Sequence, residues 1–295
     1  MTTTIPDGIL ILDKPAGLTS QTAVTKAKRA LGVRKAGHAG TLDPAATGVL
    51  IVGFGRATRL LGYLSGCGKE YLATIRLGQA TSTDDAEGEP LGAPVDAAGL
   101  DDGQIAAALE PFRGEIEQVP SAVSAIKVAG VRAYKLAREG VDVELKARRV
   151  TVSGFHVLAR RVDRPYTDLD VLVECSSGTY IRALARDLGK SLGVGGHLTA
   201  LRRTRVGPFT LPADPTGHLG LDPESPNEVR LPPAISLTDA ARQCFPYVDV
   251  DAATADDVRH GRRIKAALPA DPTAVCCGEF LALYHPDGTA AAVFV

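Results

Sequence analysis

The chain has 295 residues, of which 45% are hydrophobic and 23% are charged, a balance that is typical of globular proteins and excludes global disorder. The first residues lack the basic start and long apolar run of a secretory signal, and apolar runs elsewhere have strand length, so we expect neither export nor a membrane span. The five cysteines form no CxxC pair. This predicts reduced thiols in a cytoplasmic protein, without a zinc site or a disulfide framework.

The net charge of −1 conceals blocks of opposite sign. Lys and Arg outnumber Asp and Glu by 9 to 4 in residues 1–70 and by 16 to 8 in 121–210. Asp and Glu are in excess by 10 to 2 in 71–120 and by 12 to 6 in 211–295. The two basic blocks suggest a positive surface for a polyanion, although solvated faces without a partner explain them equally well.

The first predicted elements are strands around one helix. Ser20 is the predicted N-cap of a helix that runs through Leu31 and ends at Gly32. Apolar runs and polar–apolar alternation predict strands at 8–12, 48–54 and 70–77.

The rest of the chain mixes helices and strands without a strict βαβ rhythm. Residues 79–103 predict an acidic surface loop, and the Pro-rich segment 211–236 is the predicted linker. Helices are predicted at 103–110, around 134–138 and at 179–192, and strands at 148–158 and 168–175. The last fifty residues predict a small β-rich appendage. The pattern favours an α+β fold over a doubly wound sheet.

One carboxylate lies in a loop of unusual composition. Asp43 stands among Gly, Thr and Pro residues in the segment 37–50, immediately before an apolar strand. Glycines permit backbone conformations that other residues avoid, and Pro44 restricts the chain just after the acid. A carboxylate positioned in this way is a candidate functional group, although an Asx-type turn before a strand is the ordinary explanation.

Three further segments carry candidate residues. In the segment 177–189, Arg182 lies near the start of a predicted helix beside a glycine turn, where it could hold a carboxylate; pairing within the helix is the alternative. Lys69-Glu70-Tyr71 offers a tyrosine that could stack on a base, or that simply belongs to the core. The segment 201–209, with Arg202 and Arg203, is basic.

Gly53 and Gly55 follow an apolar strand and suggest a dinucleotide-binding loop. Thr58 stands where that fingerprint requires its third glycine, so we expect no nicotinamide cofactor.

Together these segments resemble the TruB family of tRNA pseudouridine synthases, which modify the T-loop uridine called position 55. The resemblance covers most of the chain, and its motifs lie at residues 8–20, 38–50, 69–71, 119–130, 134–140, 175–189 and 201–209. It implies the pseudouridine synthase fold, with a mixed, mostly antiparallel central sheet and flanking helices in residues 1–245. Residues 246–295 resemble, more weakly, a PUA-like RNA-binding domain, with 257–264 as the best match.

The resemblance also implies roles for individual residues. Asp43 resembles the catalytic aspartate, Tyr71 the active-site tyrosine beside the target base, and Arg182 the arginine that pairs with the aspartate. His38 resembles the histidine that helps to open the T-loop, and Leu201 an apolar pocket residue. The remaining implied substrate contacts are Lys14, Lys69, Arg202 and Arg203. Departures from the family pattern at Ser121, Val123 and Ser177 affect local RNA contacts.

The implied reaction is an isomerisation without redox change, so we expect no cofactor and no metal. The implied partner is the T-arm of tRNA. We expect a monomer, because nothing in the sequence requires a larger assembly. Whether Asp43 attacks C1′ or C6, or a glycal forms, stays open at this point. So do two other functions: RNA binding or chaperoning without catalysis, and a guide-directed synthase for another RNA.

Overall fold

The structure is a computed structural model that describes residues 7–121, 127–128, 131–132, 145–211, 231–260, 262–264 and 268–294. The strands in these residues are β1 (Gly8–Lys14), β2 (Ala36–His38), β3 (Thr47–Phe54), β4 (Lys69–Leu77), β5 (Ala80–Thr81), β6 (Pro90–Leu91), β7 (Gly114–Gln118), β8 (Lys127–Val128), β9 (Val131–Arg132), β10 (Arg148–Asp163), β11 (Tyr166–Cys175), β12 (Gly196–Val206), β13 (Phe209–Thr210), β14 (Ile235–Ser236), β15 (Tyr247–Asp249), β16 (Thr273–Cys277), β17 (Phe280–Tyr284) and β18 (Ala290–Phe294). The α-helices are α1 (Ser20–Leu31), α2 (Leu61–Gly66), α3 (Asp102–Leu109), α4 (Ile181–Ser191), α5 (Leu237–Cys244) and α6 (Ala252–Arg259), and short 3-10 helices lie at Gly55–Arg59 and Glu110–Phe112.

The chain folds into two compact units: residues 1–66 together with 205–295, and residues 67–204. The combination of strands and helices confirms the predicted α+β class. The predicted division into domains 1–245 and 246–295 stays a prediction.

The first unit is built around β1 and β3, which pair antiparallel from Gly8↔Phe54 to Lys14↔Gly48. Both strands are continuous apolar runs and are buried along nearly their whole length, as expected for strands that are covered on both faces. β14 extends this sheet beside β1, and β2 pairs with β3. The apolar face of α1 is buried through Ala23, Val24 and Ala27.

The N-cap of α1 differs from the prediction. The cap is Thr19, whose side chain accepts a hydrogen bond from the backbone N–H of Thr22 at 3.0 Å, and Ser20 is the first helical residue. Neighbouring Thr and Ser are almost equally good caps, so the local pattern does not distinguish them. Gly32 ends the helix in the left-handed conformation, as predicted.

The first unit also contains the C-terminal sheet, in the order β15-β16-β17-β18. β15 and β16 are parallel, and the other pairs are antiparallel. The core of this region combines Val275, Phe280 and Tyr284 with Ala255 and Val258 of α6. The β-rich character predicted for the last fifty residues is therefore confirmed.

The second unit contains the sheet order β12-β4-β11-β10-β7, with antiparallel pairing from β4 through to β7. Alternation along β4 buries Tyr71, Ala73, Ile75 and Leu77, and the opposite face carries three polar residues and the exposed Leu72. α4 buries Leu184 and Leu188 among its apolar residues.

Most predicted elements of this unit are confirmed, with β10 longer than expected and α3 and α4 within two residues of their predicted ends. The predicted helix around 134–138 and most of the predicted linker 211–236 lie outside the described residues. Residues 235–236 form β14, so the end of that linker is a strand.

Candidate active site

The loop between β2 and β3 carries Asp43. The carboxylate residue is half-buried, whereas Leu42 and Ala46 on either side of it are buried. The backbone turns just after Asp43, because the Ala46 N–H donates to the Asp43 carbonyl at 3.1 Å. This loop therefore anchors its apolar residues in the core and keeps the acid partly accessible.

Lys14 is a buried residue that binds the backbone of this loop. Its side chain is 0% exposed, and its ammonium donates to the carbonyls of Pro15, Leu18 and Pro44 at 2.8, 2.7 and 3.1 Å. The Pro44 carbonyl also accepts from the Gly17 N–H at 2.9 Å, and Gly17 has φ 82°, a conformation that favours glycine. Lys14 thus has a structural role in this loop that the sequence did not indicate, and its predicted contact with RNA stays a prediction.

Ser20 holds the other side of the same loop. Its hydroxyl accepts from the Leu42 N–H at 2.8 Å and donates to the Leu42 carbonyl at 3.0 Å. The sequence predicts helix capping for this hydroxyl and gives no signal for its contact with Leu42, which lies 22 positions away. His38, at the end of β2, is half-buried and begins the segment that leads to Asp43.

Tyr71 lies on the buried face of β4, opposite Val173 of β11, and is 7% exposed. Lys69, on the same face, is also buried and donates to the Cys67 carbonyl at 2.9 Å. Burial, and then the positive charge of Arg203, lowers the pKa of Lys69. Burial also raises the pKa of the neighbouring Cys175 thiol to about 11. Lys69 therefore belongs to the interior of the second unit.

The predicted basic contacts on β12 divide into two groups. Leu201 and Arg202 are half-buried, whereas Arg203 is fully buried. Of the three predicted basic contacts Lys69, Arg202 and Arg203, Arg202 is thus the most exposed, and the contact of each with RNA stays a prediction.

Arg182 occupies the first turn of α4 and is 6% exposed. Its guanidinium donates to the Thr83 carbonyl at 2.9 Å and lies 3.4 Å from the Asp85 carboxylate. Asp85 is itself held by hydrogen bonds from the Thr83 hydroxyl and the Glu87 N–H. Both of these partners of Arg182 lie in the segment 79–103, outside the helix. Pairing within the helix is the arrangement of Arg186 and Asp187, at 2.8 Å.

A buried glutamine anchors the start of α4. Gln118, 2% exposed at the end of β7, donates from Nε2 to the Tyr180 carbonyl at 3.0 Å and accepts from the Tyr180 N–H at 2.8 Å. Tyr180 precedes the helix and supplies no side-chain cap of its own. The Gln118 amide therefore fixes the backbone two residues before Arg182.

A second ion pair lies one helical turn further along α4. Arg186 contacts the Asp84 carboxylate at 3.2 Å and donates to the Val119 carbonyl at 2.7 Å. Asp84 is buried and has φ 61°. Burial raises the pKa of Asp84, and the positive charges of Arg186 and Arg182 oppose that shift. The segment 79–103, predicted to be an acidic surface loop, thus directs the carboxylates of Asp84 and Asp85 towards arginines of α4.

Among the residues that the structure describes, no group of three or more His, Cys, Asp and Glu side chains could hold a metal ion. No helix in this part of the chain combines the length and apolar character needed to cross a bilayer.

Three family models match the chain. The model described as TruB family pseudouridylate synthase (N terminal domain) matches residues 28–181. Models of the tRNA pseudouridylate synthase B C-terminal domain and of the tRNA pseudouridine synthase II C terminus match residues 182–218 and 245–295.

Similar proteins cover nearly the whole chain. The tRNA pseudouridine synthase B of Cutibacterium acnes is 53% identical over 286 residues, which are 96% of this chain and 95% of that protein. The tRNA pseudouridine synthase B of Mycobacterium sp. (strain KMS) is 57% identical over 88% of this chain and 85% of that protein.

Solved structures share the fold. A Cbf5–Nop10–Gar1 complex matches with a TM-score of 0.65 and 26% identity over 98% of this chain and 83% of that chain. An H/ACA ribonucleoprotein bound to a substrate RNA matches with a TM-score of 0.63 and 27% identity over 98% of this chain and 83% of that chain. The family model covers more than half of the chain, and the relatives exceed half identity over most of its length. The chain therefore belongs to the TruB family of pseudouridine synthases.

Proposed function

We propose that this enzyme converts the uridine at position 55 in the T-loop of tRNA into pseudouridine, with Asp43 as the catalytic carboxylate. Relatives named tRNA pseudouridine synthase B, similar over nearly the whole chain, support tRNA as the substrate. The geometry of the loop is the observation that carries the role of Asp43. The acid is half-buried, and the N–H and carbonyl of the preceding residue, Leu42, both form hydrogen bonds with Ser20.

The reaction breaks the bond between N1 and C1′, turns the uracil ring and joins C5 to C1′. The C5 proton leaves and N1 gains a proton, so atoms and charge balance without a redox partner or an imported group. An ionised Asp43 can act as nucleophile at C1′ or C6, or can stabilise positive charge on the sugar. These routes, and one through a glycal, share the need for a charged carboxylate.

Arg182 and Tyr71 are the proposed partners of Asp43. An arginine close to a carboxylate favours its ionised form, and the guanidinium of Arg182 is held rigid by the Thr83 carbonyl and by Asp85. The pairing of Arg182 with Asp43 and the contact of Tyr71 with the base rest on the resemblance to the family.

The target base must leave the folded loop before its C1′ and C5 become accessible, so we propose that the enzyme flips it out of the stack. His38, at the start of the Asp43 segment, is the proposed group that enters the vacated space, and Leu201 the proposed apolar contact. The likeness to a structure that holds a substrate RNA supports RNA recognition by this fold.

Binding of the T-arm is proposed to depend on phosphate contacts from the basic segments, with Arg202 among them, and therefore to weaken steeply as salt rises. The proposed enzyme acts as a cytoplasmic monomer and needs no cofactor.

The test is carbodiimide-adduct primer extension on an unmodified T-arm stem-loop, without added cofactor. Wild-type protein should produce one stop at the T-loop uridine, and Asp43→Asn should abolish it. Asp163→Asn is the matched control, because Asp163 is an exposed carboxylate at the end of β10. Tight binding without any stop would favour RNA binding alone, and a stop retained by Asp43→Asn would overturn the role of Asp43.

A further inference from the structure

Ser20 has a hydroxyl that helix capping does not explain. Thr19 already supplies the cap of α1 through its hydrogen bond from the Thr22 N–H. Ser20 is 2% exposed, and its hydroxyl is directed instead to Leu42, from which it accepts one hydrogen bond and to which it donates another. A hydroxyl has one donor and two acceptor sites, so this residue binds both polar backbone groups of one partner.

Leu42 depends on that contact for its backbone pairing. It is a buried residue between β2 and β3, outside any strand. Its N–H and carbonyl both pair with the Ser20 side chain, at 2.8 and 3.0 Å. Buried backbone groups are almost always paired in folded proteins, so loss of the hydroxyl would require this part of the loop to move or to admit water.

The chain is held again on the far side of Asp43. The Pro44 carbonyl accepts from the Lys14 ammonium and from the Gly17 N–H. Residues 42 and 44 are thus bound by one short segment, residues 14–20, and the residue between them carries the acid.

We propose that Ser20 is a positioning residue for Asp43, which sets the location of the carboxylate by binding the backbone of the preceding residue. This inference rests on the proposed function, because it assumes that Asp43 acts on the substrate. A reacting group displaced by about 1 Å can lose about 100-fold in rate, so a contact one residue away is enough to affect catalysis.

The test uses Ser20→Ala and Ser20→Cys, with Thr25→Ala as the matched control. Thr25 lies on the same helix and also donates its hydroxyl to a backbone carbonyl, that of Gln21 at 2.9 Å. The thiol of Ser20→Cys fills the volume of the hydroxyl but is a weak donor and acceptor. Comparison of Ser20→Cys with Ser20→Ala therefore separates the effect of lost hydrogen bonds from the effect of lost volume.

The first measurement is amide hydrogen exchange at Leu42, which does not depend on activity. Both Ser20 variants should exchange at least about tenfold faster at this amide, and Thr25→Ala should match wild type. Unchanged exchange in Ser20→Ala would overturn the inference.

The second measurement is the single-turnover rate at saturating T-arm RNA, together with the Kd of that RNA. We expect the rate of both Ser20 variants to fall about 10- to 100-fold while the Kd stays within about twofold of wild type. A wild-type rate in Ser20→Cys, or an equal loss of rate and binding, would overturn the positioning role. If wild-type protein forms no pseudouridine in the RNA, the proposed function is refuted instead. The exchange measurement would then still decide whether Ser20 holds the loop.

Discussion

Gln118 should be one of the most sensitive polar residues in the second unit. Its side-chain amide is buried and forms two hydrogen bonds to the backbone of Tyr180, at 3.0 and 2.8 Å. Gln118→Met keeps the approximate shape of the side chain and removes both hydrogen bonds. The substitution leaves the N–H and carbonyl of Tyr180 without these partners, just before the first turn of α4.

The expected magnitude follows from the burial of these groups. One fully buried backbone group without a partner costs about 1–3 kcal/mol, or about 2–6 kcal/mol for two. Because the hydrogen bonds to Tyr180 are only partly buried, their loss should lower the opening free energy of this region by about 2–4 kcal/mol. Because a tenfold change corresponds to about 1.4 kcal/mol, amide exchange at the start of α4 should accelerate by about 30-fold or more. Arg182 lies two residues beyond Tyr180, so the single-turnover rate should fall as well.

Amide exchange resolved by residue is the suitable assay, because a chain of two compact units need not unfold in one step. Gln104→Met is the matched control. The Gln104 side chain also accepts from a backbone N–H, that of Asp101 at 2.9 Å, but this contact is exposed. Equal exchange at α4 in Gln118→Met and Gln104→Met, or an unchanged rate of pseudouridine formation, would refute this reasoning.

Three further predictions concern the same unit. Gly189→Ala should destabilise it by about 1–3 kcal/mol in urea unfolding, because an added Cβ would lie 2.2 Å from the backbone of Gly195; unchanged stability would contradict the close packing. Asp85→Asn removes the negative partner that lies 3.4 Å from Arg182, so the guanidinium is positioned less well. The single-turnover rate should fall by at least about tenfold with RNA affinity retained, and an unchanged rate would show that this pair is dispensable. Cys175 should resist alkylation of the folded protein at pH 8, because burial raises its pKa to about 11 and keeps the thiol protonated, and rapid mass-spectrometric labelling would contradict this.

The sequence predicts local features of the candidate site better than its long-range contacts. The neighbouring Gly, Thr and Pro residues are enough to single out the loop that carries Asp43. The sequence does not reveal the partner of Ser20, because Leu42 lies 22 residues away. A Ser beside a Thr at the start of a helix predicts a cap instead. A contact of this kind becomes visible only when the fold brings the two segments together.

The burial of charged residues is likewise not visible in the local sequence. Lys14 and Arg203 resemble surface cations in a sequence, yet both are fully buried. The carbonyls that surround the Lys14 ammonium come from residues 15, 18 and 44, and only the structure brings them together. The composition of the segment 79–103 predicts an acidic surface loop, whereas its Asp84 and Asp85 face arginines of α4.

The fold itself was predictable where apolar patterns are long. β1, β3 and β4 were recognised from continuous or alternating apolar residues, which report burial directly. The short β14 lies in the Pro-rich segment whose composition predicts a linker. Two residues carry too little pattern to reveal a strand.

The central claim, that Asp43 makes this protein a uridine isomerase, is tested most directly by the release of tritium from a T-arm stem-loop labelled at C5 of uridine. Formation of the C5–C1′ bond expels the C5 hydrogen, so one tritium is released for each pseudouridine formed. Under single-turnover conditions at saturating RNA, we predict stoichiometric release by wild-type protein and by Asp163→Asn, and none by Asp43→Asn. Release by Asp43→Asn at the wild-type rate, or no release by wild-type protein that binds the RNA, would contradict the account.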